Sequence, residues 1–166
     1  MPTLEKTMEM EMAEKQVEIR AFRAEDAAAF RSLNEAWIET YFGLEEHDRE
    51  MLGDPETYIL RPGGHIVMAF IEERAVGCCA LIPMRPGVYE VAKMAVSEES
   101  RGRGIGRKVL KATVAQARAM GATLLTLETN STLRNAIHLY ESVGFRHLPP
   151  GVSPYTRADV FMEMPL

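Results

Sequence analysis

Cysteine is nearly absent from this chain: among 166 residues only Cys78 and Cys79 carry a thiol. Neighbours on a strand point to opposite faces, so the two are poor disulfide partners. They lack metal-ligand spacing as well. They read as small apolar residues of a buried strand, a usage that fits a reducing, cytoplasmic compartment. His47, His65, His138 and His147 are scattered without ligand spacing, so no metal is expected. No apolar run is long enough to span a bilayer. The acidic, methionine-rich start lacks a basic region followed by an apolar one, which speaks against a signal peptide. Positive charge is not in excess: 19 Lys and Arg face 24 Asp and Glu, a net charge of -5. That balance argues against broad binding to nucleic acid or an anionic membrane. Repeats, linkers and low-complexity core segments are missing too.

What remains is an ordinary globular composition, 46% hydrophobic and 26% charged, in a length that suits one domain with a sizeable core. Residues 1–16 alternate methionine and glutamate with no core face and are expected to form a flexible extension, partly helical. Residues 17–166 form the domain. Val17 to Phe22 alternates as a strand does. A helix starts at Ala24-Glu25-Asp26, carries Ala28, Phe30, Leu33, Trp37 and Tyr41 at helical spacing, and closes at Gly43. Leu44 to Leu52 reads as a shorter helix. Three strands follow, His65 to Ile71, Ala75 to Pro83 and Val88 to Val96, joined by short turns at Glu72-Glu73-Arg74 and Arg85-Pro86-Gly87, hence an antiparallel meander. The next helix turns Ile105, Val109, Ala112, Ala117 and Met120 inward. Thr123 to Thr129 is a strand, and Ser131-Thr132 offers an N-cap to a helix with Leu133, Ala136, Ile137, Tyr140 and Val143 as its stripe. Phe145 to Leu148 begins a strand, and Arg157 to Met164 is the last one. The expected class is α/β (α+β mixed sheet), about seven strands with helices on both faces.

The run Arg101-Gly102-Arg103-Gly104-Ile105-Gly106 joins the third strand of the meander to a helix. A glycine-rich turn opening a helix leaves backbone N–H groups without intrahelical partners. With the positive end of the helix dipole they make a phosphate cradle, and Arg101, Arg103, Arg107 and Lys108 add charge. A dinucleotide site expects such a loop after the first strand of a βαβ unit. Here it follows the fourth strand, which disfavours that reading although Glu128 lies at a tolerable distance.

The same run resembles the Gln/Arg-x-x-Gly-x-Gly/Ala acyl-CoA motif of the GNAT superfamily of N-acetyltransferases. Asn135-Ala136, Leu139-Tyr140-Glu141 and Gly144-Phe145 resemble that family's second signature, in its order and separation. The element order resembles the family's fold from Val17 onward. The resemblance implies an acetyl-CoA-dependent enzyme that moves an acetyl group to a primary amine by direct transfer in a ternary complex. It places Met94, Ala95 and Val96 along the pantetheine arm, at a bulge where their strand splays from its neighbour. The loop amides from Arg101 to Gly106 would hold the pyrophosphate, and Asn135 the cofactor's amide region. Tyr140 would protonate the leaving thiolate. The acceptor would be a small amine or amino acid, or secondarily a protein amine. Its pocket would use Trp37, Tyr41, Phe42, Glu45, Glu46 and the stretch Ser153-Pro154-Tyr155. A homodimer is common in the family.

Acyl transfer to an amine needs an acceptor for the amine's proton, a donor for the thiolate and a backbone N–H for the oxyanion. Glu90, on the strand leading to the bulge, is the candidate base, and Glu128 the reserve. The bland alternatives are core packing for Tyr140, a solvated helix turn for Asn135 and a surface strand position for Glu90. A non-catalytic acyl-CoA-binding regulatory module is the competing function.

Overall fold

The computed structural model describes residues 3–8 and 17–166. Residues 4–8 are helical with Leu4 and Met8 exposed. The rest of the expected extension, residues 1–2 and 9–16, lies outside the described residues.

Among the described residues seven strands form one sheet: β1 (Val17–Ala21), β2 (His65–Ile71), β3 (Arg74–Arg85), β4 (Val88–Val96), β5 (Leu124–Thr129), β6 (Arg146–Leu148) and β7 (Val160–Pro165). Their spatial order is β1-β2-β3-β4-β5-β7-β6. Only β4 and β5 run parallel; the other neighbours are antiparallel. The β2–β3 hairpin turns on Glu72 (φ 48°) and Glu73 (φ 65°), the left-handed pair whose twist suits a two-residue loop.

Four α-helices cover the sheet: α1 (Ala27–Tyr41), α2 (Glu46–Gly53), α3 (Ile105–Ala119) and α4 (Arg134–Val143). Strand alternation divides the core into two layers. Cys78, Met68 and Ile66 pack with Phe30, Ile38 and Leu52 from α1 and α2. Cys79, Ala69 and Leu81 pack with Ile105, Val109 and Leu110 from α3. The two adjacent thiols thus sit on opposite faces, both fully buried, as expected for a strand.

Several boundaries differ from the sequence reading. The buried stripe of α1 is Phe30, Asn34 and Ile38, and Tyr41 is exposed. Asn34 is completely buried; its amide nitrogen donates to the Phe30 carbonyl at 3.0 Å and to Cys78 Sγ at 3.4 Å, while its Oδ1 has no protein donor. Ser131 and Thr132 do not cap α4. Ser131 binds Asp159 instead, through its backbone N–H and its hydroxyl at 2.8 Å each. Thr132 turns back on Asn130 Oδ1. Leu133 occupies the cap position without a side-chain bond. The last strand begins at Val160, not Arg157, because Arg157 is drawn sideways into a buried ion network.

Candidate active site

β4 and β5 pair only from Val88 to Glu90 with Leu124 to Thr126. Beyond Glu90 the strands part, so β4 stays bonded to β3 on one edge while its other edge opens. The opening coincides with a bulge. Cys78 faces Ala95 and Ala80 faces Ala92, so Lys93 and Met94 together oppose Cys79. Lys93 takes φ 52°, a left-handed conformation seldom adopted by a lysine. A groove of about 520 Å³ lies in this opening, walled by β4, the end of β5, α4, the end of α1 and the loop before β7.

One end of the groove lies between the glycine turn and α4. Gly102 (φ 81°) and Gly104 (φ 74°) use positive φ, and a Cβ on either would meet nothing within 4 Å. The backbone is therefore both special and open to approach. Gly104 is the N-cap of α3 and offers no side-chain cap. The first helical bond from this cap runs from the Lys108 N–H to the Gly104 carbonyl. The amides of Ile105, Gly106 and Arg107 are accordingly left without helical carbonyls. The Arg101 N–H is already committed to the Glu98 carbonyl at 3.3 Å, which removes it from the expected cradle. Arg101 and Gly106 line the groove. Gly102, Arg103 and Gly104 form the exposed turn between them, and Ile105 faces the core. Met94, Ala95, Val96 and Asn135 line the groove as well.

At the middle stand Tyr140, Glu90 and Glu128. Tyr140 packs edge-on against Phe145, ring centroids 6.0 Å apart, and burial pushes its hydroxyl above the usual phenol value. Glu90 and Glu128 are within hydrogen-bonding reach of each other. Burial first, and then the charge of Glu128, push the Glu90 carboxyl up to about 8. Glu128 Oε2 is buried with no donor from the protein. α4 has no fully buried residue; Leu139 and Tyr140 pack on the α3-side layer and also line the groove, as does Ala136.

The far end holds the aromatic residues Trp37, Tyr41, Phe42 and Tyr155. Of the other expected acceptor residues, Glu46 is exposed and Ser153 and Pro154 do not line the groove. Glu45 lies behind it, accepting from Thr156 and from Arg157 at 3.0 Å.

Sequence reasoning missed an ion network at this end. Asp48 is fully buried and bonds Lys93 Nζ at 2.6 Å. It takes a two-pronged contact from Arg157 at 2.8 Å on each oxygen and accepts the Glu45 N–H at 3.0 Å. Lys93 Nζ also donates to the Tyr155 hydroxyl at 2.8 Å. Burial alone would raise the Asp48 carboxyl. The hydrogen bonds from Arg157 and Lys93 outweigh it and hold that group well below the usual carboxylate range. Burial lowers Lys93, against the pull of Asp48. One carboxylate thus ties α2, the β4 bulge and the loop before β7 together. A lysine three residues after Glu90 in a mainly apolar strand was the available signal.

Residues 28–145 match the family described as Acetyltransferase (GNAT) family. The IAA acetyltransferase of Azospirillum brasilense is 35% identical over 111 residues, 65% of this chain and 72% of its own. A GNAT-family acetyltransferase from Staphylococcus aureus superposes with a TM-score of 0.82 at 19% identity, over 90% of this chain and 98% of that one. The structure of a putative acetyltransferase from Salmonella typhimurium, with its cofactor acetyl-CoA, superposes with a TM-score of 0.74 at 21% identity, over 90% and 94%. Fold, parted strands and sequence match agree, and the chain belongs to the GNAT family of acetyltransferases.

Proposed function

We propose that this protein transfers the acetyl group of acetyl-CoA to a primary amine, directly and without an acyl-enzyme. The observation that carries the reading is the parting of β4 from β5 after Glu90. It sets an unpaired strand edge, an uncapped helix N-terminus and a carboxyl pair along one groove.

The residues present fit the cosubstrate. The open β4 edge from Ala92 to Val96 offers backbone groups to an amide-bearing arm, in the manner of an added strand. The amides of Ile105, Gly106 and Arg107 suit a pyrophosphate, and the positive-φ turn lets the phosphates approach. Asn135, at the start of the uncapped α4, is placed to bond the arm's amides. When bound, acetyl-CoA supplies an acetyl group activated as a thioester.

The chain's own groups then manage protons and geometry. Glu90 is the acceptor for the amine's proton. Its raised pKa matches a base working near neutral pH better than an ordinary carboxylate would. Tyr140 keeps its proton at all working pH values and offers an O–H to the sulfur. Full transfer from so weak an acid to a thiolate is uphill. Its contribution is therefore a hydrogen bond that strengthens as charge develops. The thiols of Cys78 and Cys79 are fully buried and raised by burial, Cys79 to about 12. They are unsuited to carry an acyl group, which supports direct transfer.

Calorimetry with CoA, acetyl-CoA and NAD, followed by thiol release over an amine panel, tests the reading. Selective acetyl-CoA binding with thiol release on any amine is expected. Binding without release favours a regulatory acyl-CoA module. Absence of CoA binding overturns the placement of the cradle.

A further inference from the structure

Among the described residues the acceptor end of the groove has two cations, and both are paired. Lys93 Nζ lies 2.6 Å from Asp48. Arg157 grips Asp48 with both nitrogens and Glu45 with one of them. Two positive and two negative charges cancel, and Arg157 has only 14% of its side chain exposed. The other lining arginines, Arg101 and Arg134, belong to the glycine turn and the start of α4. The uncompensated charges that face this end, at the middle of the groove, are acidic, and the buried Trp37 Nε1, a neutral donor, has no protein partner. Glu90 and Glu128 line the groove, and Glu128 Oε2 is buried without a donor. A buried acceptor left without a partner is costly, and an ammonium would supply the missing N–H. Trp37, Phe42 and Tyr155 line this end as well. Flat apolar walls with one buried anionic acceptor match a small cation with an aromatic or apolar body.

From this charge balance we infer that the acceptor is a monocationic amine with an aromatic or apolar body and no carboxylate beside its nitrogen. The inference rests on the transferase reading above and narrows it: α-amino acids are excluded from the class. Among the described residues an acid group would find no free cation at this end, only the neutral Trp37 N–H, and would face Glu90 and Glu128. Asp48 and Glu45 act as specificity residues without touching the acceptor, by holding Lys93 and Arg157 away from it.

The test is steady-state thiol release with acetyl-CoA and matched acceptors: 2-phenylethylamine, phenylalaninamide, phenylalanine, spermidine and a lysine-containing peptide. The first two share the aromatic body without the negative charge. Their kcat/KM should exceed that of phenylalanine at least tenfold. Phenylalanine used as well or better, or turnover confined to spermidine or the peptide, overturns the acceptor class and leaves the transferase reading standing. Acetyl-CoA binding with no thiol release on any amine would instead mark failure of the transferase reading itself. One variant separates charge from folding. Glu45→Gln keeps an acceptor for Thr156 but relieves Arg157 of one carboxylate. It should narrow the preference for 2-phenylethylamine over phenylalanine severalfold, with the KM for acetyl-CoA unchanged. A purely structural defect would lower both acceptors alike, and an unchanged ratio would overturn the assigned role of Glu45.

Discussion

Replacing Asp48 by Asn should destabilise this protein more than any other single change in the ion network, because the substitution keeps the shape and removes only the charge. Asp48 is 0% exposed and Lys93 4% exposed at their side chains, so solvent screens neither. The amide has one acceptor oxygen where the carboxylate had two and carries no charge, so Lys93 loses its anion and Arg157 keeps Glu45 as its charged partner. Stripping a buried pair of one partner costs about 3–5 kcal/mol. Lys93→Met should cost less, about 1–3 kcal/mol, the penalty of one lost buried contact. In that variant Asp48 retains both Arg157 bonds and the Glu45 N–H. At this chain length each kcal/mol moves Tm by about 2–4 °C. Asp48→Asn should therefore melt on the order of 10 °C lower. Urea unfolding followed by circular dichroism measures both variants on one scale. The pH dependence follows from the depressed Asp48 pKa. Its contribution is fully present above the unfolded carboxylate value of about 4 and is lost as pH falls below that towards the folded value. Asp48→Asn should therefore flatten that acid limb. A loss under about 1 kcal/mol, or a larger loss in Lys93→Met, would refute the idea that one buried carboxylate organises the site.

Three further outcomes concern the groove. Glu90→Gln should lower kcat by about 10²–10⁴-fold while calorimetry shows acetyl-CoA binding unchanged. The rise of rate with pH towards about 8 should disappear with it. Because the Glu90 pKa is raised, native stability should fall as pH climbs from its ordinary value of 4.5 to about 8, and the Gln variant should lack that slope. In Tyr140→Phe, kcat should drop by roughly ten- to a hundredfold, one hydrogen bond to a developing charge, with the KM for acetyl-CoA unaltered. Gly104→Val forces a β-branched residue to φ 74°, a strain of about 1–3 kcal/mol. CoA affinity measured by calorimetry should fall at least tenfold, and an unchanged value would move the phosphates elsewhere.

Much of this architecture was legible because local signals and tertiary packing agree. Glycines at turns and helix ends, strand alternation and short turns gave the seven strands and the four longer helices, and the glycine run gave the opening of α3; the short helical turns Glu56–Leu60 and Glu98–Ser100 were not read. Where local and long-range interests conflict, the reading slipped. Ser131 has the chemistry of an N-cap, yet Asp159 competes for both its N–H and its hydroxyl. The cap thus passes to Leu133, whose side chain cannot fill the role. Arg157 looks like the first residue of a strand, yet two buried hydrogen bonds to Asp48 outweigh one more strand pair.

The ion network shows why pattern reading stops where it does. Asp48 and Lys93 are 45 positions apart, and Asp48 and Arg157 are 109 apart, so no spacing rule connects them. Each also has a local explanation that satisfies the eye. Asp48 reads as the N3 acid of a helix, and it does accept the Glu45 N–H. Lys93 reads as one polar residue of a strand open to solvent on one face. That second reading fails because the bulge inserts a residue at this point and Lys93 adopts φ 52°. Its side chain is thereby directed into the protein, where a buried ammonium requires a buried carboxylate. The same bulge lies where β4 has already parted from β5 and the groove opens. Lys93 is long enough to reach Asp48 on α2 from there. Lys93→Gly would relax the backbone but leave Asp48 with Arg157 as its only cation.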